Sequence, residues 1–546
     1  MKIALAQLNY HVNNFDANVA KIKQGIDRAK AQGADLVVFS ELAVCGYPPH
    51  DLLERREFVE RCEQAIADIA GHTHGVAAIV GAPSVNPSER GKMLFNSAYF
   101  LADGQVRHIT NKTLLPTYDV FDEYRYFEPN REFTTIEYKG KRLAITVCED
   151  LWDDQPIANR FGKNRLYRTS PMEMLAAQNP DLVINIAASP FSHDKVQERL
   201  SVFLGNVRRF GLPVVYVNQV GANTDLIFDG SSMVLSSEGE VCLQLKSFEE
   251  DFSVVDVEAL QPAIVDERTS IARIHDALVL GIRDYFGKMG FRSAVLGLSG
   301  GIDSAVVSAL AVEALGAENV RVVMMPSRYS TDHSVSDAVV QAQTMNIKYD
   351  IVAIEEGYKA FEKMLDPIFG NLPFNVAEEN IQARIRGIIV MGISNKFGNL
   401  VLNTTNKSEA AVGYGTLYGD MNGSMSILGD VYKTQVYELA RYINRNGEII
   451  PENVLVKAPS AELRPDQKDT DSLPDYPILD DILFRYIERQ EDEEAIVAAG
   501  FDREVVRKVI RLVNMNEYKR FQFAPVLRVS SKAFGFGRKM PLVFRF

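Results

Sequence analysis

Apolar residues in the first half of the chain come in short blocks separated by stretches with helical spacing. KIALAQL (2–8) and ADLVVFSE (34–41) read as buried strands, with a helix pattern in NVAKIKQGIDRAKAQG between them. A second helix pattern leads to VAAIVGAPS (76–84). Hairpins then interrupt the alternation: NSAYFLADGQVRHIT turns at Asp103-Gly104, and FTTIEYKGKRLAITV (133–147) at Lys139-Gly140. DLVINIAA (181–188), a helix around 194–211, PVVYVNQV (213–220) and a hairpin tipped by Ser-Glu-Gly complete the run. Hairpins mixed with strand–helix alternation predict mixed sheets covered by helices, a layered α/β sandwich.

The pattern changes near Pro262, where VEALQPAIVDERTS is polar and aperiodic and reads as a linker ending in a helix cap at Thr269 or Ser270. Beyond it, helix patterns at 270–288, 303–315, 333–345 and 376–397 alternate with the strands SAVLGLS, VRVVMMPS, YDIVAI and LVLNTT. Strand–helix repetition without hairpins predicts a doubly wound parallel α/β sheet. The Pro- and Asp-rich stretch PSAELRPDQKDTDSLPDYP (459–477) has no period and reads as a long functional loop. The expected organisation is therefore a domain over 1–258, a linker over 259–269 and a second domain over 270–546.

Composition narrows the function classes. The 546 residues are 46% hydrophobic with a net charge of −13, which fits a soluble globular protein with sizeable cores. An acidic balance speaks against sequence-independent binding to nucleic acid or to anionic membranes. No apolar run approaches the ~18 residues of a membrane span, and MKIALAQLNY is too short for a signal peptide. The expected location is cytoplasmic. Cys45, Cys62, Cys148 and Cys242 include no CxxC pair and no zinc-like spacing. All four lie in the first half, so any thiol chemistry belongs there.

In the second half, Gly297-Leu298-Ser299-Gly300-Gly301-Ile302-Asp303-Ser304 follows an apolar strand and opens a helix. Paired glycines let backbone amides approach an anion, and the helix N-terminus adds partial positive charge. Ser299 and Ser304 can donate to phosphate oxygens, and Asp303 can hold a bridging divalent cation. No Gly-Lys-Ser/Thr closes the loop, so it is not a Walker A sequence. A nucleophile elbow centred on Ser299 needs a later acid and then a His, yet the only His beyond it is His333.

In the first half, three reactive side chains sit at matching positions. Glu41 closes LVVFSE, Lys112 follows the hairpin arm VRHIT, and Cys148 closes RLAITV. Such groups can converge in one pocket. A carboxylate can take a thiol proton, while an ammonium stabilises the thiolate and a tetrahedral oxyanion. That set suits thioester formation with an amide and release of ammonia.

The octapeptide resembles the SGGxDS pyrophosphate loop of the N-type ATP pyrophosphatases. ENIQARIR (379–386), NTTNKSE (403–409), Gly413-Tyr414, Gly419-Asp420, Tyr432-Lys433-Thr434, the 459–474 loop and EYKR (517–520) resemble the NAD synthetase pattern in order. The resemblance implies Thr404 and Lys433 as ATP contacts with the loop, and Asp303 and Glu409 as ligands of Mg²⁺. It also implies Asn380, Glu409 and Lys519 as contacts to deamido-NAD. FSELAVCGYPPHDLL, NKTLLPTYDVFDEYRYF, ITVCEDLW and INIAASPF resemble the signature regions of the nitrilase superfamily, with an αββα sandwich and a Glu–Lys–Cys triad. Glu41, Lys112 and Cys148 fall on that triad, and Tyr118, Ser189 and Lys195 match positions that bind glutamine in its glutaminase branch. In NQVGANTDLIFDG, Thr224-Asp225 stands where the pattern has Asp-Glu. Together the resemblances imply a glutaminase joined to an ATP-dependent amide-forming domain, homo-oligomeric through the latter. ATP, deamido-NAD and L-glutamine are the expected substrates. Because ammonia is protonated at neutral pH and diffuses away, an enclosed path between the domains is expected.

Overall fold

The structure, a computed structural model, describes residues 1–154, 166–370 and 372–545. The chain forms two units, Met1–Arg268 and Thr269–Phe546.

The first unit is built on two six-stranded sheets. One contains β1 (Lys2–Gln7), β2 (Leu36–Val38), β3 (Ala77–Val85), β4 (Leu94–Ala102) and β5 (Gln105–Asn111). The other contains β6 (Ile136–Tyr138), β7 (Lys141–Val147), β8 (Leu182–Ala187), β9 (Val214–Asn218), β12 (Met233–Leu235) and β13 (Val241–Gln244). A separate ribbon joins β10 (Val220–Asn223) to β11 (Leu226–Asp229), and β14 (Asp251–Asp256) returns to the first sheet. The strand orders are β14-β1-β2-β3-β4-β5 and β13-β12-β9-β8-β7-β6. β1 pairs in parallel with β2 and antiparallel with β14, whose Asp256 lies opposite Lys2.

Side-chain alternation along the strands makes the layers. Ala4, Ala6, Val37, Ala78 and Val80 pack outward with residues of α1 (Phe15–Ala31) and α2 (Arg56–Ala70). Their neighbours Ile3, Leu5, Leu36, Val38, Ala77 and Ile79 pack inward against Leu143, Ile145, Val147, Val183 and Val215 of the second sheet. α3 (Pro171–Ala176) and α4 (Val196–Phe210) contribute Met172, Leu175, Phe203 and Val207 to that core. The result is an αββα sandwich. Residues 263–266 hydrogen bond along β13, Ala263 N to Val241 O (2.8 Å) and Asp266 N to the Gln244 side chain (2.9 Å), so this stretch packs within the first unit.

The second unit carries a parallel sheet of β15 (Ala294–Gly297), β16 (Val320–Met324), β17 (Lys348–Ile351), β18 (Leu400–Asn403) and β19 (Met425–Ser426), ordered β17-β16-β15-β18-β19. Chain order reverses between β15 and β18. In such sheets, ligands bind beyond the strand C-termini at this switch point. The helices are α5 (Ser270–Met289), α6 (Ile302–Leu315), α7 (Asp332–Thr344), α8 (Glu355–Phe369), α9 (Val376–Phe397), α10 (Lys407–Val412), α11 (Lys433–Ile443), α12 (Glu452–Val456) and α13 (Tyr476–Ile487). α14 (Glu493–Ala498), α15 (Arg503–Met515) and α16 (Glu517–Arg520) follow. Thr269 caps α5, its hydroxyl accepting from Ala272 N (3.4 Å). Val390 of α9 packs on one sheet face with Val295, Val323 and Val401.

Three sequence expectations change. Glu41 does not end a strand: β2 stops at Val38, and the backbone then turns across Gly81, where a Cβ would overlap Leu42 N and Ser40 O. Cys148 lies just beyond β7, in a short 3₁₀ turn over Cys148–Leu151. The long loop ends earlier than expected, because Asp469–Asp471 forms a 3₁₀ turn and α13 starts at Tyr476 with Pro477 in its first turn. Among the described residues, no helix is long and apolar enough to cross a membrane.

Candidate active sites

In the first unit, Glu41, Lys112 and Cys148 meet at the ends of strands from both sheets. Glu41 and Lys112 are fully buried and Cys148 nearly so. Lys112 Nζ donates to Glu41 Oε1 at 2.7 Å and lies 2.8 Å from Glu123. Glu41 also accepts from Asn96 Nδ2 (2.7 Å) and from Ala188 N (2.8 Å), which fixes both carboxylate oxygens. Tyr47 OH donates to Glu123 (3.0 Å). Burial alone would depress Lys112, but Glu123 and Glu41 hold its pKa well above the ordinary value, so it is an ammonium. Burial raises Glu123 to about 7, with Lys112 pulling the other way. Burial and then Glu41 push the Cys148 thiol well up, against the pull of Lys112. Cys148 is therefore a thiol beside a carboxylate, not a free thiolate.

Cys148 adopts φ of 45°, a left-handed conformation uncommon outside glycine. Glu149, next to it, accepts from the hydroxyls of Tyr118 and Tyr167, each at 2.8 Å. Burial raises the Glu149 pKa, opposed by both hydroxyls and by the charges of Lys112 and Lys195. Lys195 stands at the N-terminus of α4. Asn218 grips the backbone of Ser189, accepting from its N–H at 2.9 Å and donating to its carbonyl at 3.3 Å. The structure thus draws Tyr118 and Lys195 toward Glu149, and fixes Ser189 just after β8. Glu123, Asn96 and Glu149 were not singled out from sequence. Glu123 lies eleven residues after Lys112, inside the quoted segment NKTLLPTYDVFDEYRYF, so a second acid there was a readable signal.

In the second unit, a cleft of about 310 Å³ opens at the C-terminal ends of β15, β16 and β18. The Gly297–Ser304 loop, Thr404, Glu409 and Lys433 lie along it, with Arg386 of α9 and residues 457–463 opposite. Gly300 has φ of 76°, and a Cβ there would overlap the Ser334 carbonyl oxygen, so no other residue fits this turn. The loop is held from inside: Ser304 Oγ accepts from Ser299 N (3.2 Å), and Ser299 Oγ accepts from Gly301 N (3.2 Å). Leu298 and Ile302 are buried anchors on either side. Asp303 lies 2.5 Å from Lys433 Nζ and accepts from Asn406 Nδ2 at 2.8 Å. Glu409 lies 3.5 Å from the same ammonium. Burial and nearby Asp303 raise Glu409 to about 8 despite Lys433. Asp480, missed in the sequence, joins the helices that carry these groups, accepting from Ser408 Oγ (2.5 Å) and Thr434 N (2.8 Å).

Asn380 and Lys519 do not line the cleft. Both hold the 413–416 loop: Asn380 Oδ1 accepts from Thr416 Oγ1 (2.7 Å), and Lys519 Nζ donates to the carbonyls of Gly413 and Gly415 (2.7 Å each). That loop leads to Asp420, which does line the cleft.

The carbon-nitrogen hydrolase family matches residues 2–261, and the NAD synthase family matches residues 274–523. Glutamine-dependent NAD(+) synthetase of Synechocystis sp. is 45% identical over 100% of this chain and 99% of its own length. The chain belongs to the glutamine-dependent NAD(+) synthetases. The family member from Acinetobacter baylyi is also 45% identical, covering 99% of this chain and 98% of its own. A solved family structure, from Acinetobacter baumannii in complex with ADP, is 42% identical with a TM-score of 0.78, covering 99% and 98% of the two chains. The family member of Cytophaga hutchinsonii, 20% identical with a TM-score of 0.83, shares the fold.

Proposed function

We propose that this chain makes NAD from deamido-NAD, drawing activation from ATP and nitrogen from glutamine, with residues 1–258 as glutaminase and 270–546 as synthetase. One observation carries the reading: each unit gathers the groups for one half of that chemistry. A thiol stands beside a carboxylate and an ammonium in the first. Two acids and a lysine stand at an anion-binding turn in the second.

In the glutaminase, Cys148 Sγ attacks the side-chain amide carbon of glutamine while Glu41 takes the thiol proton. Lys112 faces the oxygen that becomes negative. Glu41 returns the proton to the departing nitrogen, and ammonia leaves a thioester. Water, deprotonated by Glu41, then releases glutamate. Glu149, with Tyr118, is placed to take the amino group of the substrate, while Lys195 and Ser189 complete the pocket.

In the synthetase, an oxygen of the nicotinate carboxylate attacks the α-phosphorus of ATP, and pyrophosphate leaves. Ionised carboxylates are poor electrophiles, so this activation precedes amide formation. Ammonia then attacks the acyl carbon and AMP departs. The Gly297–Ser304 loop, Thr404 and Lys433 hold the phosphates. Asp303 and Glu409 converge on one ammonium, and two carboxylates completed by phosphate oxygens form a typical Mg²⁺ donor set. Bound there, Mg²⁺ would neutralise charge building on the leaving pyrophosphate. Among the described residues, no group of three or more His, Cys, Asp or Glu forms a cation site without the nucleotide. Asn380 and Lys519 serve deamido-NAD through the loop they grip. The test is an assay with ATP, Mg²⁺, deamido-NAD and amide-labelled glutamine. NAD, AMP, pyrophosphate and glutamate should appear in equal amounts with the label in NAD; glutamate without NAD sinks the reading.

Homo-oligomer formation through the synthetase is part of the proposal, with a second copy as the occupant of an apolar surface on α8 and α9. Met364, Ile368, Val376 and Ile388 are each at least 59% exposed there, and large exposed apolar side chains gain by being covered. Ile388→Glu should shift the sedimentation coefficient toward the monomer.

A further inference from the structure

Asp150 lies two residues beyond Cys148 and is buried. Its carboxylate accepts three backbone N–H groups: Thr113 and Leu114 on Oδ1, both at 2.9 Å, and Val147 on Oδ2 at 3.0 Å. Thr113 and Leu114 directly follow Lys112. Val147 directly precedes Cys148. The two segments belong to different sheets, since Lys112 extends β5 and Cys148 extends β7. One side chain therefore ties the backbone carrying the ammonium to the backbone carrying the thiol, across the sandwich.

We propose that Asp150 is a positioning residue of the glutaminase, fixing Cys148 relative to Lys112 and Glu41. Cys148 needs such a fixture because its backbone is left-handed, and a strained conformation persists only where its surroundings over-determine it. The Val147 N–H bond closes the turn from one side, and the Asn185 side chain holds the Cys148 carbonyl at 3.3 Å from the other. Asp150 hydrogen bonds to neither Glu41 nor the Lys112 ammonium, whose partners are Glu41 and Glu123. Its effect runs through backbone placement. Asparagine at 150 keeps one acceptor oxygen, enough for the Thr113–Leu114 pair, but sets an NH₂ group against the Val147 N–H. Alanine loses all three bonds. The order wild type, Asn, Ala thus follows from how many amides remain held.

This inference rests on Cys148 being the nucleophile, and Cys148→Ala in the same series tests that separately. The experiment compares full-length wild type, D150N, D150A and C148A in three measurements. These are glutaminase kcat and KM, the alkylation rate of Cys148 by iodoacetamide followed by peptide mass spectrometry, and alkylation of Cys45 and Cys62. The last two thiols are completely buried in the same unit and report whether it stays packed. For D150N we expect glutaminase kcat to fall about 30-fold or more, KM to stay within about threefold, and Cys148 alkylation to slow at least tenfold, with Cys45 and Cys62 still protected. D150A should be worse in kcat. A D150N kcat within threefold of wild type overturns the proposal. So does a loss confined to KM, which would make Asp150 part of substrate binding. Alkylation of Cys45 or Cys62 in both variants overturns it in favour of a purely structural role. Glutaminase activity surviving in C148A would instead overturn the reading beneath it.

Discussion

Among the described residues, three lysines are buried between two acids, each in a different setting. Lys112 lies between Glu41 and Glu123, beside a thiol. Lys433 lies between Asp303 and Glu409, on the wall of an open cleft. Lys407 lies between Asp430 and Glu488, each at 2.8 Å, and also reaches Ser530 Oγ, with its ammonium 4.8 Å from the Tyr432 ring centre. The local electrostatics are alike, since an ammonium this deep must be paired. The neighbour decides the role. In the first unit both acids accept from several protein donors, and a thiol stands beside them. At the cleft, the acids and the lysine neutralise one another on a wall open to a ligand, which in the proposed function is phosphates and a cation. Lys407 does not line the cleft, and among the described residues its triad fastens the segment 403–409 in place.

Removing one member from each site separates these roles. Cys148→Ala should abolish NAD formation from glutamine, by about 10⁴-fold or more. With high ammonium at mildly alkaline pH it should keep most of its rate, because no synthetase group depends on the sulfur. Loss with both donors in a folded variant would break the comparison. Asp303→Ala should cost about 10³-fold with either donor, since it releases Lys433 and deprives the pyrophosphate of a compensating cation. Activity within a few-fold of wild type at saturating Mg²⁺ would show that this acid is only structural. Lys407→Met leaves two buried carboxylates facing each other and should cost about 3–5 kcal/mol in the second unit alone. Trp152 is the sole tryptophan and lies in the first unit, so its fluorescence transition in urea should stay put while the far-UV circular dichroism transition moves.

The smallest effect is a pH dependence at Glu123. Its folded pKa of about 7 exceeds the ordinary 4.5, so the folded protein holds a proton there that the unfolded chain gives up. The wild type's stability relative to Glu123→Gln should therefore be greatest below about pH 4.5. It should fall by on the order of 1–3 kcal/mol as pH rises to about 7, and stay level above. Urea titrations of both proteins, read by Trp152, would give this difference directly. A difference that rises with pH would mean that the folded pKa of Glu123 is lowered rather than raised.

What could be read from the sequence was whatever repeats with a period or stands in a contiguous motif. The strand–helix alternation of 270–403 and the hairpins at 103–104 and 139–140 are local patterns, and the structure has them. Glu41 and Lys112, seventy-one residues apart, share a hydrogen bond, and Thr404, Glu409 and Lys433 share the cleft of the Gly297–Ser304 loop. The rest depends on tertiary pairing. Asn96 reaches Glu41 from near the start of β4, and a polar residue there reads as solvent-facing until Glu41 and Glu123, from other segments, are known to lie against it. Asp150 reads as the second acid of a surface turn unless the 113–114 backbone is known to lie against it. α8 is a further helix whose apolar stripe, Tyr358, Phe361, Leu365 and Ile368, was legible at helical spacing, with Pro367 only in its last turn. The helices after 403 are mostly short, with too few turns to show a period.

The Lys407 triad also sets a timetable for synthesis on the ribosome. Asp430 accepts from Val529 N (2.8 Å) and Ser530 N (2.7 Å), and Ser426 bridges to Val526, so the nucleotide motif at 403–409 is braced by residues translated more than a hundred positions later. The glutaminase closes on itself when β14 pairs with β1, once residue 256 has emerged. Domains generally fold as they emerge, the first ahead of the second. A nascent chain arrested at 480 would hold a complete first unit and a second unit whose 403–409 segment still lacks its brace. During each round of translation, the unit that carries Cys148 is thus complete before the unit that carries the cleft.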